Sequence, residues 1–377
     1  MTFSEILELD IIKLPKTQDI PEDGFREFFT DLFDEFLDIV VSSKNLSDQE
    51  SFKEAHFKNG IGVLVKGIQN AIDRYYAGNP FNAYTSLRDS INDSRILSYL
   101  PSDMVFDEGS NFYRIREHQG NYLLDQKELF HIPFNLRGKV TTNRYSIPGF
   151  PSLYLSDCIY TAWEELQRPS YADMQIVRLE NQMPINILDL STTRYSEGNH
   201  TIEDEESTIG KSNWGDLYSV MVWPLIAACS VKVRDRNDPF KPEYIIPQLL
   251  LNWVRNNNSL EKRIDGIKFS STHIDLNNEK VKGEFYNLVI PVKESLDHGY
   301  CSHLLKMFNM TEVVSWQLQQ AAGASRRTIE LEEFGIMLND KRQIELIRGE
   351  PLKYSNSDFG MLEVWLNRMN AQKIDVL

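Results

Sequence analysis

The segment Arg137–Pro169 contains the side chains whose types and spacing are best suited to chemistry on a nucleotide. Arg144 precedes a turn rich in proline and glycine, Tyr154 follows in a short apolar stretch, and Glu164 and Glu165 come near the end. A turn, strand and helix of this size can bring a cation and a carboxylate to opposite sides of one cleft, which suits a ligand with phosphates and ribose hydroxyls. The same spacing fits an arginine that caps a loop and glutamates on a solvated helix face. Spacing alone favours this second interpretation.

Local signals predict the elements that must position these side chains. The apolar run Leu153–Leu155 predicts a short strand. Ser156 or Asp157 is suited to cap the N-terminus of a helix from Cys158 to about Gln167. Pro169 ends that helix, because the residue before a proline is disfavoured in the α region. The segment is therefore expected to fold as a turn, a strand and a helix.

Length and composition are typical of a globular protein with two or three domains. The chain has 377 residues, of which 41% are hydrophobic and 25% charged. Its formal net charge of −15 argues against non-specific binding to nucleic acid, which relies on Lys and Arg neutralising phosphates. The three cysteines, Cys158, Cys229 and Cys301, are too far apart to indicate a disulfide framework. We expect a cytoplasmic protein without membrane contact, because no signal-peptide or transmembrane pattern is evident.

The first hundred residues predict a small helical domain. Apolar residues recur every three or four positions from Gly24 to about Val41, which is typical of an amphipathic helix. After a loop over 44–57, further helices are expected at Gly60–Tyr76 and from Phe81 to about Ile96. We predict a domain at 1–100 that serves dimerisation, regulation or partner binding.

Strand patterns dominate the remainder, 101–377, with an insertion near 190–245. The insertion combines an exposed acidic loop at 194–214 with apolar helical stretches. A further strand is predicted beyond the insertion, at 326–336. The change from helical to strand periodicity near residue 100 is the basis of the domain boundary.

Several short motifs follow one another between residues 112 and 292. Phe112-Tyr113-Arg114-Ile115 comes first, and Arg144, Pro-Gly, Leu-Tyr-Leu and Ala-x-x-Glu-Glu form a second block. The strand Gly266–Ser271 and the run Asn287-Leu288-Val289 complete the set. In this order the motifs resemble the RES domain, a family named for arginine, glutamate and serine residues that mark its active site. Ser270 departs from the pattern, since many members have proline there, and two adjacent glutamates compete for one role.

The resemblance implies an α+β fold, with an ADP-ribosyltransferase-like split β-sheet domain that here follows the small all-α domain. It also implies an NAD+-consuming toxin or defence enzyme that cleaves the nicotinamide–ribose bond, as a glycohydrolase with water or a phosphorylase with phosphate. The alternatives are a mono-ADP-ribosyltransferase that modifies a protein, and a regulatory protein that binds a nucleotide without turnover. No separate cofactor is expected, because NAD+ is the substrate.

The resemblance assigns catalytic roles to residues in the motif blocks. Glu165 would stabilise the positive charge that grows on the ribose, with Glu164 as the reserve, since adjacent helix residues cannot face the same way. Arg144 would hold the pyrophosphate or orient the nicotinamide ribose with its planar set of donors. Ser271, or less favourably Ser270, would hydrogen-bond to the glutamate or to the substrate.

Four further residues are expected to bind the nucleotide. Tyr154 would stack on nicotinamide or hydrogen-bond to the ribose, or else be a core tyrosine of the strand. Arg114 would contact a phosphate, and Asn287 and Gln248 are candidates that more often have structural roles. His298, Cys301 and His303 lack a fourth ligand nearby, so no metal site is expected. The partners expected are NAD+, an antitoxin or regulatory protein, and a second copy through the N-terminal helices.

Overall fold

The computed structural model describes residues 1–17, 24–44, 51–99, 104–191, 213–235, 237–256, 263–323 and 341–376. The predicted acidic loop at 194–214, apart from its last two residues, and the predicted strand at 326–336 lie outside the described residues. The described helices are α1 Phe3–Leu7, α2 Phe25–Ser42, α3 Ser51–Tyr76, α4 Pro80–Asp93, α5 Gln126–Leu129, α6 Ile159–Glu165, α7 Asn213–Ser230, α8 Ile245–Asn256, α9 Ser302–Met307, α10 Trp316–Gly323 and α11 Asp358–Arg368.

Strands occupy the part of the chain after residue 104. They are β1 Val105–Phe106, β2 Asn111–Glu117, β3 Ser152–Ser156, β4 Met174–Asn181, β5 Ile185–Leu190, β6 Gly266–Ser270, β7 Tyr286–Pro291, β8 Phe308–Met310, β9 Val314–Ser315, β10 Gln343–Ile347, β11 Glu350–Lys353 and β12 Gln372–Lys373. Short 3-10 helices lie at Asp10–Ile12, Ile96–Tyr99, Phe134–Lys139, Tyr171–Asp173, Pro242–Tyr244 and Tyr354–Asn356. Helices and a large sheet confirm the predicted α+β class.

The chain forms two compact units. The helical unit combines Met1–Met104, Thr142–Ile147 and Asp189–Asn257, and the sheet unit combines Val105–Thr141, Pro148–Leu188 and Asn258–Leu377. The sequence predicts a catalytic domain that includes 142–147 and the insertion, whereas the chain packs both with the N-terminal helices. The apolar stretches of the insertion, α7 and α8, supply the reason, because they bury surface against α3 and α4.

The helical unit is built around the apolar faces of α2 and α7. Phe29, Phe33 and Phe36 of α2 are buried at three- and four-residue spacing, as the amphipathic pattern predicted. The ring of Phe36 packs 4.3 Å, centroid to centroid, from that of Trp223, whose indole N–H donates to the Ile12 carbonyl oxygen at 2.9 Å. Helix α7 continues through Pro224 and is buried over most of its described surface, so it shows little amphipathic period.

The sheet unit contains one long path of strands in the order β1-β5-β6-β7-β3-β2-β4-β8-β12, with β9 also paired to β4. Neighbours are antiparallel in the pairs β1–β5, β6–β7, β7–β3, β3–β2, β2–β4, β4–β8, β4–β9 and β8–β12. One face of this sheet packs against α6 and α11 to form an aromatic-rich core that includes Tyr113, Tyr160, Trp163 and Phe359. Strands β6, β7 and β3 are neighbours near the middle of the sheet; Asn287 lies on β7, Tyr154 on β3, and Ser271 directly follows β6.

Two local predictions were wrong. Helix α3 begins at Ser51, so 51–57 is helical rather than a loop. The N-cap of α6 is Cys158, whose sulfur accepts from the backbone N–H of Thr161, and neither Ser156 nor Asp157 has that role. Asp157 instead accepts a hydrogen bond from the Thr161 hydroxyl at 2.7 Å. Asp157 is a residue type that can cap a helix, but its carboxylate is engaged in other contacts instead.

Helix α6 ends in an unusual turn. Gln167 and Arg168 have φ values of 63° and 58°, in the left-handed region that non-glycine residues seldom adopt. Their backbone N–H groups donate to the carbonyl oxygens of Glu164 and Trp163 and so close the helix end. Pro169 follows and prevents a further helical turn. The helix therefore stops immediately after Glu165.

Gln167→Gly should raise the free energy of unfolding by about 0.5–1 kcal/mol, because glycine adopts positive φ without the steric penalty of a Cβ. Gln167 is exposed, so little packing is lost. Denaturant unfolding of the purified protein measures the change. Gln317→Gly is the matched control, since Gln317 is exposed in the first turn of α10 and has no positive φ, so the same substitution should bring no gain in stability. A stability gain in both variants, or in neither, would contradict the assignment of strain to Gln167.

Candidate functional site

Three residues that the sequence analysis selected from separate motif blocks meet at one carboxylate. Glu165 Oε1 accepts a hydrogen bond from the Ser271 hydroxyl at 2.6 Å and another from Asn287 Nδ2 at 3.0 Å. Glu165 ends α6, Ser271 follows β6, and Asn287 is the second residue of β7. Two neutral donors on one oxygen hold the carboxylate in a single orientation without cancelling its charge.

The sheet orients Asn287 toward Glu165. Asn287 lies opposite Ser156 of β3 and Phe269 of β6 in the antiparallel registers. The Ser156 hydroxyl donates to Asn287 Oδ1 at 2.7 Å, which leaves the amide Nδ2 to donate to the glutamate. Both partners are buried, so this orientation is held inside the protein.

Ser271 rather than Ser270 reaches the glutamate. Ser270 is the last residue of β6 and pairs with Tyr286, whereas Ser271 has just left the strand. The backbone N–H of Ser271 still donates to the Phe285 carbonyl oxygen at 3.1 Å. Successive side chains of a strand point to opposite faces, so only one of the two serines can face α6.

His273 is a further candidate site residue, which was not predicted from the sequence. Its Nε2 lies 3.7 Å from Glu165 Oε2, the carboxylate oxygen that Ser271 and Asn287 do not use. The side chains of Glu165 and His273 are 29% and 22% exposed, so a small molecule can reach the pair. The backbone N–H of His273 also donates to the Ser271 hydroxyl oxygen at 3.3 Å. A histidine two residues after the marked serine was the available signal.

Glu164 has a different environment from its neighbour. Its carboxylate accepts from Arg168 Nε at 3.0 Å and from Arg168 Nη2 at 2.8 Å, a two-point ion pair. The Glu164 side chain is 5% exposed. Burial, together with hydrogen bonding to Glu164, raises the pKa of Tyr160 well above its usual range. Glu164 is thus neutralised by a cation, while Glu165 is held by neutral donors at a half-exposed position.

Tyr154 and Arg114 lie on neighbouring strands. Tyr154 is two residues from Ser156 and so shares the sheet face of Ser156 and Asn287, with its side chain half-buried. Arg114 follows Tyr113, which pairs with Ser156, and therefore points to the other face.

The Arg114 guanidinium is held within the sheet unit. Its Nη1 donates to the Tyr154 carbonyl oxygen at 2.7 Å, and its Nε is buried without a hydrogen-bond partner among the described residues. Burial, with a smaller contribution from Arg116, lowers the pKa of Arg114 to about 10. The strand register favours a nucleotide contact by Tyr154 more than by Arg114.

Arg144 and Gln248 belong to the helical unit. Arg144 Nη1 donates to the Cys229 carbonyl oxygen at 3.0 Å and Nη2 to that of Val231 at 2.9 Å, at the C-terminal end of α7. Its guanidinium also lies 5.4 Å from the centroid of the Tyr244 ring. Gln248 Nε2 donates to the Asn143 carbonyl oxygen at 3.1 Å. Both side chains make structural hydrogen bonds within this unit. That either of them binds a nucleotide stays a prediction.

Asp157 fixes the start of α6 to the sheet. Its Oδ1 accepts from the Tyr286 backbone N–H at 3.2 Å, and its Oδ2 accepts from Arg342 Nη1 at 2.8 Å. Arg342 Nη2 lies 3.7 Å from Glu363 of α11, and the Arg342 guanidinium covers the Tyr354 ring at 4.6 Å. This set, the Arg342 network of Asp157, Arg342, Glu363 and Tyr354, ties α6 and α11 to β7. It therefore positions the helix that ends in Glu165.

The cysteines are unsuited to nucleophilic chemistry. All three are free and buried. Burial raises the pKa of the Cys158 thiol well above its ordinary value and that of Cys229 to about 12, and it also raises the pKa of Cys301. Thiolate is the reactive form, so it is scarce at neutral pH at each position.

Within the described residues, no cluster of three or more His, Cys, Asp or Glu side chains is arranged to hold a metal ion. Among the helices that the structure describes, none combines the length and apolarity needed to cross a bilayer.

Comparison with known proteins finds a relative along most of the chain. The chain is 29% identical over 360 residues, covering 94% of its own length and 78% of the other protein, to a protein named putative toxin YopC from Bacillus subtilis (strain 168). No family model matches the chain. No solved structure matches it either. The RES resemblance therefore rests on the sequence motifs.

Proposed function

We propose that this protein is an NAD+-consuming toxin enzyme that cleaves the nicotinamide–ribose bond. The observation that carries the proposal is the meeting of Glu165, Ser271 and Asn287. These residues come from three motifs of the RES resemblance, and Ser271 and Asn287 follow Glu165 in the chain by 106 and 122 residues. Residues chosen at random from the sequence would not be expected to converge on one carboxylate.

The cluster has the chemistry that this bond cleavage requires. Nicotinamide leaves NAD+ as a neutral molecule, so the leaving group needs little acid catalysis, while positive charge develops on the ribose. A half-exposed carboxylate of fixed orientation can stabilise that charge, because it requires no reorganisation as the charge appears. Ser271 and Asn287 hold Glu165 for this role, and Tyr154 on the same sheet face can contact the nicotinamide or the ribose.

A toxin setting is supported by the relative named putative toxin YopC, whose similarity extends over 94% of this chain. A toxin that depletes NAD+ needs an inhibitor in the cell that makes it, so an antitoxin or regulatory protein is the protein partner expected. The N-terminal helices are candidates for homo-oligomerisation or for binding that partner.

Incubation of the purified protein with NAD+ should release nicotinamide, which chromatography can quantify. Induced expression in bacteria should lower the cellular NAD+ content, while expression of the Glu165→Gln variant to the same level should not. Glu165 is a better test position than Arg144, since Arg144→Ala would also remove two hydrogen bonds at the end of α7. Labelled protein instead of free ADP-ribose would indicate a mono-ADP-ribosyltransferase. Binding of NAD+ without nicotinamide release would indicate a regulatory protein and overturn the proposal.

A further inference from the structure

The two oxygens of the Glu165 carboxylate have unlike surroundings. Oε1 accepts two hydrogen bonds, from Ser271 and Asn287. Oε2 faces His273 Nε2 at 3.7 Å, which is longer than a direct hydrogen bond. Both side chains are partly exposed. A small polar molecule placed against this pair would meet a carboxylate oxygen and an imidazole nitrogen together.

We propose that His273 is the general base that makes water the acceptor of the ADP-ribosyl group, so that the enzyme is a glycohydrolase. This inference rests on the function proposed above and adds the identity of the second substrate. One water molecule can donate one hydrogen to His273 Nε2 and the other to Glu165 Oε2. Its oxygen lone pair then points away from the pair, toward the ribose carbon that Glu165 stabilises.

The reaction balances with the groups present. The bond between C1′ of the ribose and the pyridinium nitrogen breaks, and its electron pair leaves with nicotinamide, which becomes neutral. The water oxygen forms the new bond to C1′, and the proton it loses passes to the neutral imidazole of His273. The products are nicotinamide and ADP-ribose, and the imidazolium returns its proton to solvent.

Inorganic phosphate fits this position less well than water. Phosphate at neutral pH is already an anion with nucleophilic oxygens, so it gains little from a general base. Beside Glu165 Oε2 it would also be repelled by the carboxylate charge. A neutral nucleophile that must lose a proton is the acceptor that benefits from a carboxylate and an imidazole side by side.

The test compares two acceptors in wild type and in two variants of the 377-residue chain. Wild type, His273→Gln and His298→Gln are incubated with NAD+, with and without excess inorganic phosphate. Nicotinamide, ADP-ribose and phosphorylated ADP-ribose are quantified separately. His298 is exposed and serves as the control for the same substitution elsewhere in the sheet unit. Thermal unfolding of each variant checks that the fold is retained.

Wild type should form ADP-ribose in both buffers, and His273→Gln should lower its formation by about a hundredfold, within the usual range for a general base. His298→Gln should leave the rate unchanged. Any phosphorolysis should fall much less than hydrolysis in His273→Gln, which a merely structural role would not produce. Phosphorylated ADP-ribose as the main wild-type product, equal loss with both acceptors, or undiminished hydrolysis in His273→Gln would each overturn the inference. If wild type releases no nicotinamide, the proposed function fails first and this inference fails with it.

Discussion

Glu165→Gln should lower the rate of nicotinamide release from NAD+ by about 10²–10³-fold, the usual cost of removing one preorganised electrostatic group. Glutamine keeps the size of the side chain and can still hydrogen-bond to Ser271 and Asn287. It removes the negative charge that would stabilise the ribose cation in the proposed reaction. The Michaelis constant should change less than the turnover number, because the charge develops after NAD+ binds.

The adjacent glutamate supplies the matched control. Glu164→Gln should leave nicotinamide release close to the wild-type rate, because Glu164 is paired with Arg168. Glu164→Gln should instead lower the free energy of unfolding by about 1–3 kcal/mol, because it removes a partly buried charged pair. The site assignment would be wrong if Glu164→Gln lost activity at full stability while Glu165→Gln retained it.

Arg342→Met should have the largest effect on stability, lowering the free energy of unfolding by about 3–5 kcal/mol. Arg342 lies between two carboxylates, Asp157 and Glu363, whose side chains are 7% and 5% exposed. Methionine approximates the length of the aliphatic stem but leaves both carboxylates without their cation. Denaturant unfolding at neutral pH measures the loss.

The loss of unfolding free energy caused by Arg342→Met should be smaller at acidic pH. Burial raises the pKa of Asp157 above its ordinary value of 3.8, while Arg342 opposes that rise. A group whose folded-state pKa is raised contributes stability that is present below its unfolded pKa and is lost as pH rises through the folded pKa. Removal of Arg342 raises the folded pKa further, so the deficit should be larger near pH 8 than near about pH 4.5.

Arg88→Met is the control for this prediction. Arg88 and Asp89 form an ion pair whose side chains are 43% and 51% exposed, and such surface pairs contribute about 0–1 kcal/mol. The loss of unfolding free energy in Arg88→Met should be small at either pH. Equal losses in the two variants, or an Arg342→Met deficit independent of pH, would show that the Arg342 network is not a buried charge cluster.

The identity of the elements around the site was predictable because their signals are local. Alternating apolar residues indicated β2, the run Leu153–Leu155 indicated β3, and Pro169 marked the end of α6. Glu165 and Ser271 became candidates through the RES resemblance, because spacing alone favoured a structural interpretation of the glutamates. The sequence could not decide which of two adjacent residues faces the site. Spacing gives the angle between neighbouring side chains, but it does not say on which side of them the sheet lies.

Long-range contacts were outside the reach of the sequence. His273 stands two residues after Ser271 in the sequence, but its place beside Glu165 follows from the path of the chain after β6. Arg144 matched a family motif, yet its guanidinium caps α7, a helix more than sixty residues away in the chain. Both relationships depend on packing between segments far apart in sequence.

The sequence by itself determined the α+β class, the helical start of the chain and the short list that contained Glu165, Ser271 and Asn287. The helical start follows from periodicity, which acts over a few residues, whereas the short list of site residues follows from the RES resemblance. Only the tertiary structure decided that Glu164 pairs with Arg168, that Glu165 meets Ser271 and Asn287, and that His273 faces the remaining carboxylate oxygen. The physical reason is that antiparallel registers and helix packing, not spacing along the chain, set the distances between side chains.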